Sequence, residues 1–385
     1  MRKLFFILIS VALAGCSVFP ALQKGKYIGV RNLIDSKKYD EAKIMIEGMV
    51  EDEYLAGWPR TWFYRGLLAQ TAYRDGIATN DQRKTGLYPD QLYVVFSSFG
   101  KMLELDPSER TKNKLKPRYI MLANDFQQLG KRHFNNDEHE KALRAFEYAL
   151  VIIEKPFMEM DPDTNLIYNA GLAAYGSEDW KKTITYLSML QDYNYSPNVA
   201  HLLYHARLEK GDDTAAKMKL QKGIRKYDEK EALVLLLADF YVQKQQTDSA
   251  LLVLDSAIAH DPANASYHYT KGLIKQQQGN YIEAILAYFE AVRHDPDHLI
   301  TYINIATCYY NIGAEIEEES RRLTDSEMVR QKRKESEAAL ESAVLWLDKV
   351  YERQPEEQAL LMKMYQLYTM LRIPDKARSI ERAIY

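Results

Sequence analysis

Residues 229–262 read EKEALVLLLADFYVQKQQTDSALLVLDSAIAHDP, and residues 263–296 read ANASYHYTKGLIKQQQGNYIEAILAYFEAVRHDP. Both stretches end in His-Asp-Pro, at Pro262 and Pro296. With Glu231, Ala265 and Leu299 in register, Ala238, Ala250, Leu254 and Ala257 recur as Gly272, Ala284, Tyr288 and Ala291. Apolar residues fall three and four apart, the spacing of a helix with one buried face, and no long stretch alternates with period two. The expected fold class is all-α, built from antiparallel helix pairs. Ala250 and Ala284 stand where the second helix must approach the first, and a larger side chain there would push them apart. Gly211–Asp212 and Gly279–Asn280 supply tight turns, and Pro262 and Pro296 stop the second helices.

The same offsets run backwards from Pro197 through Leu203, Gly211, Ala216 and Leu220. This pattern resembles the tetratricopeptide repeat (TPR), whose unit is a pair of antiparallel helices closed by proline. The resemblance implies a right-handed α-solenoid with a concave groove, here of about nine helix pairs. Fidelity falls outwards. A block from about Thr164 carries Gly171, Trp180, Thr183 and Leu187. One from about Ala123 carries Gly130, Ala142 and Phe146, and one from about Pro59 carries Trp62 and Gly66. The first begins near Gln23 with Tyr39 and Ala42, and the last runs from Gln358 through Tyr365 and Ala377. The organisation expected is divergent units over 23–195, strong units over 197–296 and further units over 299–385. Two insertions interrupt the pattern. Residues 73–90, with Gly76, Gly86 and Pro89, read as a loop over one rim of the groove. Residues 314–337, with 8 acidic and 6 basic residues, read as a charged helical extension, the second helix of that unit resuming near Ala338. Pairs such as Glu317–Arg321 and Glu318–Arg322 favour long helices there.

The N-terminus carries an address. Met1-Arg2-Lys3 is followed by an apolar run from Leu4 to Gly15, about 18 Å as a helix and too short for a hydrocarbon core of roughly 30 Å. It fits a signal peptide over 1–15. Leu13-Ala14-Gly15-Cys16 resembles the lipobox of bacterial lipoproteins, which implies lipidation at Cys16 and a tether over 16–22. Loss of Arg2 and Lys3 takes the formal charge of −3 to −5. Acyl chains contribute about 0.8 kcal/mol per buried CH₂ and hold such a chain to a membrane. Ser17 after the cysteine resembles an outer-membrane signal. Residues 18–24 lack the acidic cluster of surface-exported Bacteroidetes-type lipoproteins, so a periplasm-facing, lipid-anchored protein is expected.

Composition narrows the chemistry. A pI near 6.3 gives no general attraction to phosphate backbones, so nucleic acid is not an expected partner. Two cysteines preclude a disulfide framework, and Cys308 reads as a buried core residue. No phosphate-binding glycine loop, zinc-protease helix or nucleophile elbow occurs, so no cofactor and no catalytic residue are expected. His201 and His205, one turn apart, have the spacing of two metal ligands with Asp239 as the nearest third. Register instead places both on the groove side of a first helix, and no metal is expected.

The same register gives the expected partner-binding groove: Tyr168 and Tyr175, His201 and His205, Asp239 and Gln243, Tyr269 with Leu273 and Gln276, and Tyr310. Tyrosines, aliphatics and amides suit a protein or peptide segment held by aromatic anchors and amide hydrogen bonds. They depart from the basic clamp of chaperone-binding TPR domains. The function expected is a non-enzymatic, membrane-anchored scaffold, in the manner of periplasmic lipoproteins that serve outer-membrane or secretion-system assembly. The alternative is a glycan- or small-ligand-binding lipoprotein, because tyrosines stack on sugars.

Overall fold

A computed structural model describes residues 25–190, 193, 195–354, 358–371 and 373–384. The lipobox, Cys16 and the tether lie outside the described residues. Among those residues the chain is all-α, with no strand, and it divides into two compact units, one running to Tyr195 and one over Ser196–Tyr385.

In the first unit α1 (25–35) pairs with α2 (Tyr39–Glu51), and the short α3 (Glu53–Ala56) leads to α4 (Pro59–Thr79). The short α5 (Gln82–Thr85) precedes α6 (Gln91–Leu105), the partner of α4. Then α7 (Glu109–Asn135) pairs with α8 (His139–Ile153), and α9 (Thr164–Gly176) with α10 (Trp180–Met189). The second unit pairs α11 (Pro197–Glu209) with α12 (Asp213–Lys226), α13 (Glu231–Gln243) with α14 (Thr247–His260), and α15 (Ala265–Gln277) with α16 (Tyr281–His294). It ends with α17 (Leu299–Arg322) against α18 (Ser326–Tyr351) and α19 (Gln358–Met370) against α20 (Pro374–Ile384). Nine helix pairs thus stand among the described residues, each unit a stretch of α-solenoid.

One packing device recurs in both units. A glycine in the first helix faces a large residue sixteen positions later in the second. A Cβ on Gly130, Gly171 or Gly272 would lie 2.5, 2.4 or 2.4 Å from Phe146, Leu187 or Tyr288. Gly66 meets Phe99 at 2.5 Å in the same way, across the insertion. Phe99, Phe146, Leu187 and Tyr288 are all fully buried or within 1% of it, so the glycine groove sets how closely the two helices approach. The turn between helices is equally repetitive: one residue takes positive φ and a helix starts two residues on. Gly211 and Gly279 hold that position at φ 73° and 78°, whereas Lys37, Asp137, Glu178 and Gln245 hold it at 57–59°.

Three readings of the sequence are corrected. Residues 73–90 are not a loop throughout, because α4 continues to Thr79 with Tyr73 buried in the core. Asp75 on that extra turn pairs with Lys37 and Lys84, both at 2.7 Å. Those bonds hold its carboxyl down at about 2. Leu87 and Tyr88 are buried against α2, the Tyr88 hydroxyl donating to Glu47 at 2.8 Å. Second, the unit read from Ala123 begins at Glu109. Its helix runs through Pro117, capped by the Ser108 hydroxyl. Third, α18 starts at Ser326 rather than near Ala338. The insertion 314–337 lengthens α17 and α18 into an arm, with the Glu317–Arg321 and Glu318–Arg322 pairs formed at 3.7 and 3.3 Å and Lys332–Glu319 linking its two helices at 3.1 Å. The Ser336 hydroxyl donates to the Gly313 carbonyl at 2.8 Å where the arm leaves the stack.

Candidate partner-binding surface

In the second unit the groove residues read from register sit on the first helices α11, α13, α15 and α17. His201 and His205 are half-buried with their Nε2 atoms 2.9 Å apart, so one ring must be neutral to accept the hydrogen bond. Burial lowers both pKa values, and for His201 the adjacent His205 lowers it further. Asp239 and Gln243 are exposed, the Gln243 amide donating to the carboxylate at 2.7 Å. Among the described residues no group of three or more His, Cys, Asp or Glu side chains is placed to hold a metal ion.

Further along, part of the expected surface is spent on internal packing. Tyr269 is half-buried. Its ring is 4.8 Å from His298, edge-on, and 5.9 Å from Tyr288, and its hydroxyl accepts from Asn304 at 3.3 Å. Leu273 packs against the cluster of Ala284, Ile285, Tyr288, Ile305 and Cys308. Gln276 accepts the Tyr288 hydroxyl at 2.6 Å, satisfying a buried donor. Cys308 is fully buried, and burial pushes its thiol up to about 12, which suits a packing role. Tyr310 keeps 37% of its surface exposed. A cavity of about 670 Å³ opens at the N-terminal ends of α11, α13 and α15, and of the register-read residues it takes in only His201. The structure therefore joins the residues into local pairs rather than one enclosed site.

In the first unit Tyr168 packs on Tyr195 with rings 4.9 Å apart, and Tyr175 meets Trp180 edge-on at 5.5 Å. The larger feature there was missed by register. On α7, Arg110, Lys114 and Arg118 are spaced four apart and share one face. Lys112 and Lys116, on another face, are paired with Glu109 and Glu159. The 110/114/118 row forms no ion pair among the described residues, and the carboxylate it acts on is Asp106, whose pKa Arg110 helps to lower. Arg60 of α4 adds to the row. Lys114 lies with its ammonium 3.4 Å from the Phe63 ring centre. Desolvation, together with Arg60, Arg110 and Arg118, lowers its pKa. Arg118 is similarly lowered, by burial and then by Arg74. The fully buried Gln70 ties the two helices by donating to the Arg118 carbonyl at 3.0 Å. Next to the row, Arg74 contacts Asp125 at 3.2 Å, yet burial raises the Asp125 carboxyl to about 6. The signal that could have revealed the row was its four-residue spacing, hidden because the helix was started fourteen residues late.

No family profile matches the sequence, and no curated protein matches it. Among solved structures, the C-terminal part of a TPR repeat-containing protein from Cytophaga hutchinsonii is 12% identical, covering 67% of this chain and 93% of that one with a TM-score of 0.47. A TPR repeats protein from Bacteroides fragilis is 18% identical over 64% of this chain and 98% of that one, TM-score 0.34. A tetratricopeptide repeat protein from Parabacteroides merdae is 14% identical over 64% and 98%, TM-score 0.39. At such low identity and partial superposition, the fold rests on the helix pairing and register described above.

Proposed function

We propose that this chain is a non-enzymatic scaffold, lipid-anchored through Cys16 at the periplasmic side of an outer membrane, that binds protein partners along the first-helix faces of its helix pairs. The observation that carries the reading is the Arg110–Lys114–Arg118 row with Arg60. Like charges packed together cost stability, offset in part where Lys114 lies over the Phe63 ring, whereas an acidic segment of a partner would relieve the repulsion. Asp239, Gln243 and Tyr310 add exposed polar and aromatic contacts on the second unit. Assembly of outer-membrane or secretion machinery is the role such a recruiter would serve. Among the described residues no helix is long and apolar enough to cross a membrane, and the lipobox is the anchor on which the reading relies. The glycan alternative is weakened at Tyr269, whose hydroxyl and ring are both engaged internally.

A photo-crosslinking residue at Arg118 or Tyr310 of the full chain, in cells, should trap a discrete set of proteins. Lys114→Glu with Arg118→Glu should remove the Arg118-side products. Cys16→Ser should release the chain from the membrane fraction and abolish palmitate incorporation. Failure to trap any protein from either position overturns the scaffold reading, and unchanged membrane association of Cys16→Ser overturns the anchor.

A further inference from the structure

The outer faces of the second helices carry a ladder that the groove reading does not use. Two residues after the buried small residue of four of the five second helices in the second unit stands a large aliphatic: Met218, Leu252 and Leu286, spaced 34 apart, and Leu345, displaced by the arm; in α20 the same position, after Ala377, is Ser379. The four aliphatics are 59, 70, 60 and 63% exposed. The equivalent positions in the first unit, following Ala42, Val95, Ala142 and Thr183, are Ile44, Ser97, Arg144 and Thr185, so the first unit has no such run. Aliphatics repeated at this exposed register position are not explained by the core, which takes Ala216, Ala250, Ala284 and Ala343 and then Leu220, Leu254, Tyr288 and Leu347 on the opposite face of the same helices.

The four rungs stand side by side. Residues of α12 and α14, among them Ile224 and Leu252, line one shallow cavity, and α14 and α16 line another with Leu251 and Leu286. Phe289 of α16 stacks on Trp346 of α18 at 5.3 Å. Four helices abreast, each about 20 Å long and about 10 Å from the next, present roughly 800 Å², the area one partner contributes to a stable interface.

The flanking charges choose the occupant. Beside Met218, the exposed face of α12 bears Lys222 and Arg225, neither with a carboxylate partner among the described residues. Beside Leu345 stand the exposed Glu341 of α18 and Glu352 at its C-terminal cap, with Lys349 between them, while Asp348 is taken up by Tyr368 and Lys376 of the next helix pair. The ladder is thus basic at one end and acidic at the other, a self-complementary arrangement. A two-fold axis parallel to the helices would set α12 against α18 of another molecule and α14 against α16, bringing last turn to last turn and Arg225 near Glu352. An axis along the ladder would put α12 on α12, basic face on basic face.

We propose that the second unit homodimerises back to back through Met218, Leu252, Leu286 and Leu345. The pairing leaves the first-helix faces of that unit free for partners, so it stands whether or not the scaffold reading does. The test uses the full-length chain in cells, as two differently tagged copies, with a photo-crosslinker at Leu252. The expected result is a product containing both tags, absent when the crosslinker sits at Arg144. Leu286→Glu with Leu345→Glu should cut its yield at least tenfold. Arg225→Glu or Glu352→Arg alone should lower it several-fold, and the two in one chain should restore it. The same chains purified in detergent should sediment as a dimer, and as a monomer for Leu286→Glu with Leu345→Glu, with unchanged helical content. A sedimenting monomer, a Leu252 product holding only one tag and some other protein, or no rescue by the paired charge reversal overturns the proposal.

Discussion

The two units share one packing rule and differ in nearly everything the rule leaves free. In both, a first-helix glycine receives a large side chain of the second helix, at Gly66, Gly130 and Gly171 in one and at Gly272 in the other. The second unit keeps 34-residue register up to the arm and repeats its outer aliphatics with it. The first unit abandons that spacing, lengthens α4 and α7, and carries a basic row and a buried carboxylate instead. Core pairing therefore fixes the hairpin, while the surface evolves around it, and sequence register tracks the surface less faithfully than the core.

The comparison breaks most visibly at the glycines. Gly272→Val and Gly130→Val should each cost about 3 kcal/mol through overpacking, or more if Tyr288 and Phe146 cannot move. Each should shift only its own unit's transition in a urea titration followed by residue-specific hydrogen exchange. A single shared transition would show the two units to be one cooperative body. Gly100, whose added Cβ would meet nothing within 4 Å, is the control, and Gly100→Ala should raise stability by about 1 kcal/mol.

Next in size is opposite pH behaviour. The folded first unit holds the Asp125 proton up to about 6, above the ordinary carboxylate value of 3.8, so it binds more protons than the unfolded chain between those values. The contribution of Asp125 is full below about pH 4 and is lost as pH rises through 6, by roughly 3 kcal/mol, whereas the lowered carboxyl of Asp75 contributes above the ordinary carboxylate range and is lost only at more acid pH. Asp125→Asn should flatten that slope. In the second unit His201 and His205 have lowered pKa values, so the unfolded chain binds protons first on acidification. Stability there is full above the ordinary histidine range and declines as pH falls through it. Equal slopes in both units, read by hydrogen exchange at pH 4 to 8, would sink the contrast. The smallest effect is at the turns. Gly279→Ala, at φ 78°, should cost about 1 kcal/mol, whereas Gln245→Ala, already at φ 57°, should change stability by less than half of that. Thermal unfolding measures both.

The architecture was legible because Ala250, Ala284, Gly272 and the His-Asp-Pro endings are dictated by close approach and helix stopping, which leave the same residues wherever they occur. The insertion at 73–90 misled because Gly76 and Gly86 mimic loop punctuation. Gly76 is a helical residue whose added Cβ would lie 2.8 Å from Thr85, a position that needs glycine for space rather than for a turn. The groove was legible only as a face. Register showed that His201 and His205 lie together and that Asp239 points outward. It could not show that Gln276 is consumed by Tyr288, a partner twelve residues away on the second helix. The basic row escaped because a charge pattern has meaning only once helix limits are known.

The arm of α17 and α18 carries its own arithmetic. Past the Ser336–Gly313 bond only Ser320 is buried, so what lies beyond is a cantilever held by charge pairs rather than by the stack. A cantilever of two antiparallel rods can grow or shrink only by equal lengths on both rods. Related chains should therefore vary here in matched steps of whole turns, leaving the rest of the molecule untouched, and a reporter domain spliced at Thr324 should be carried without loss of folding.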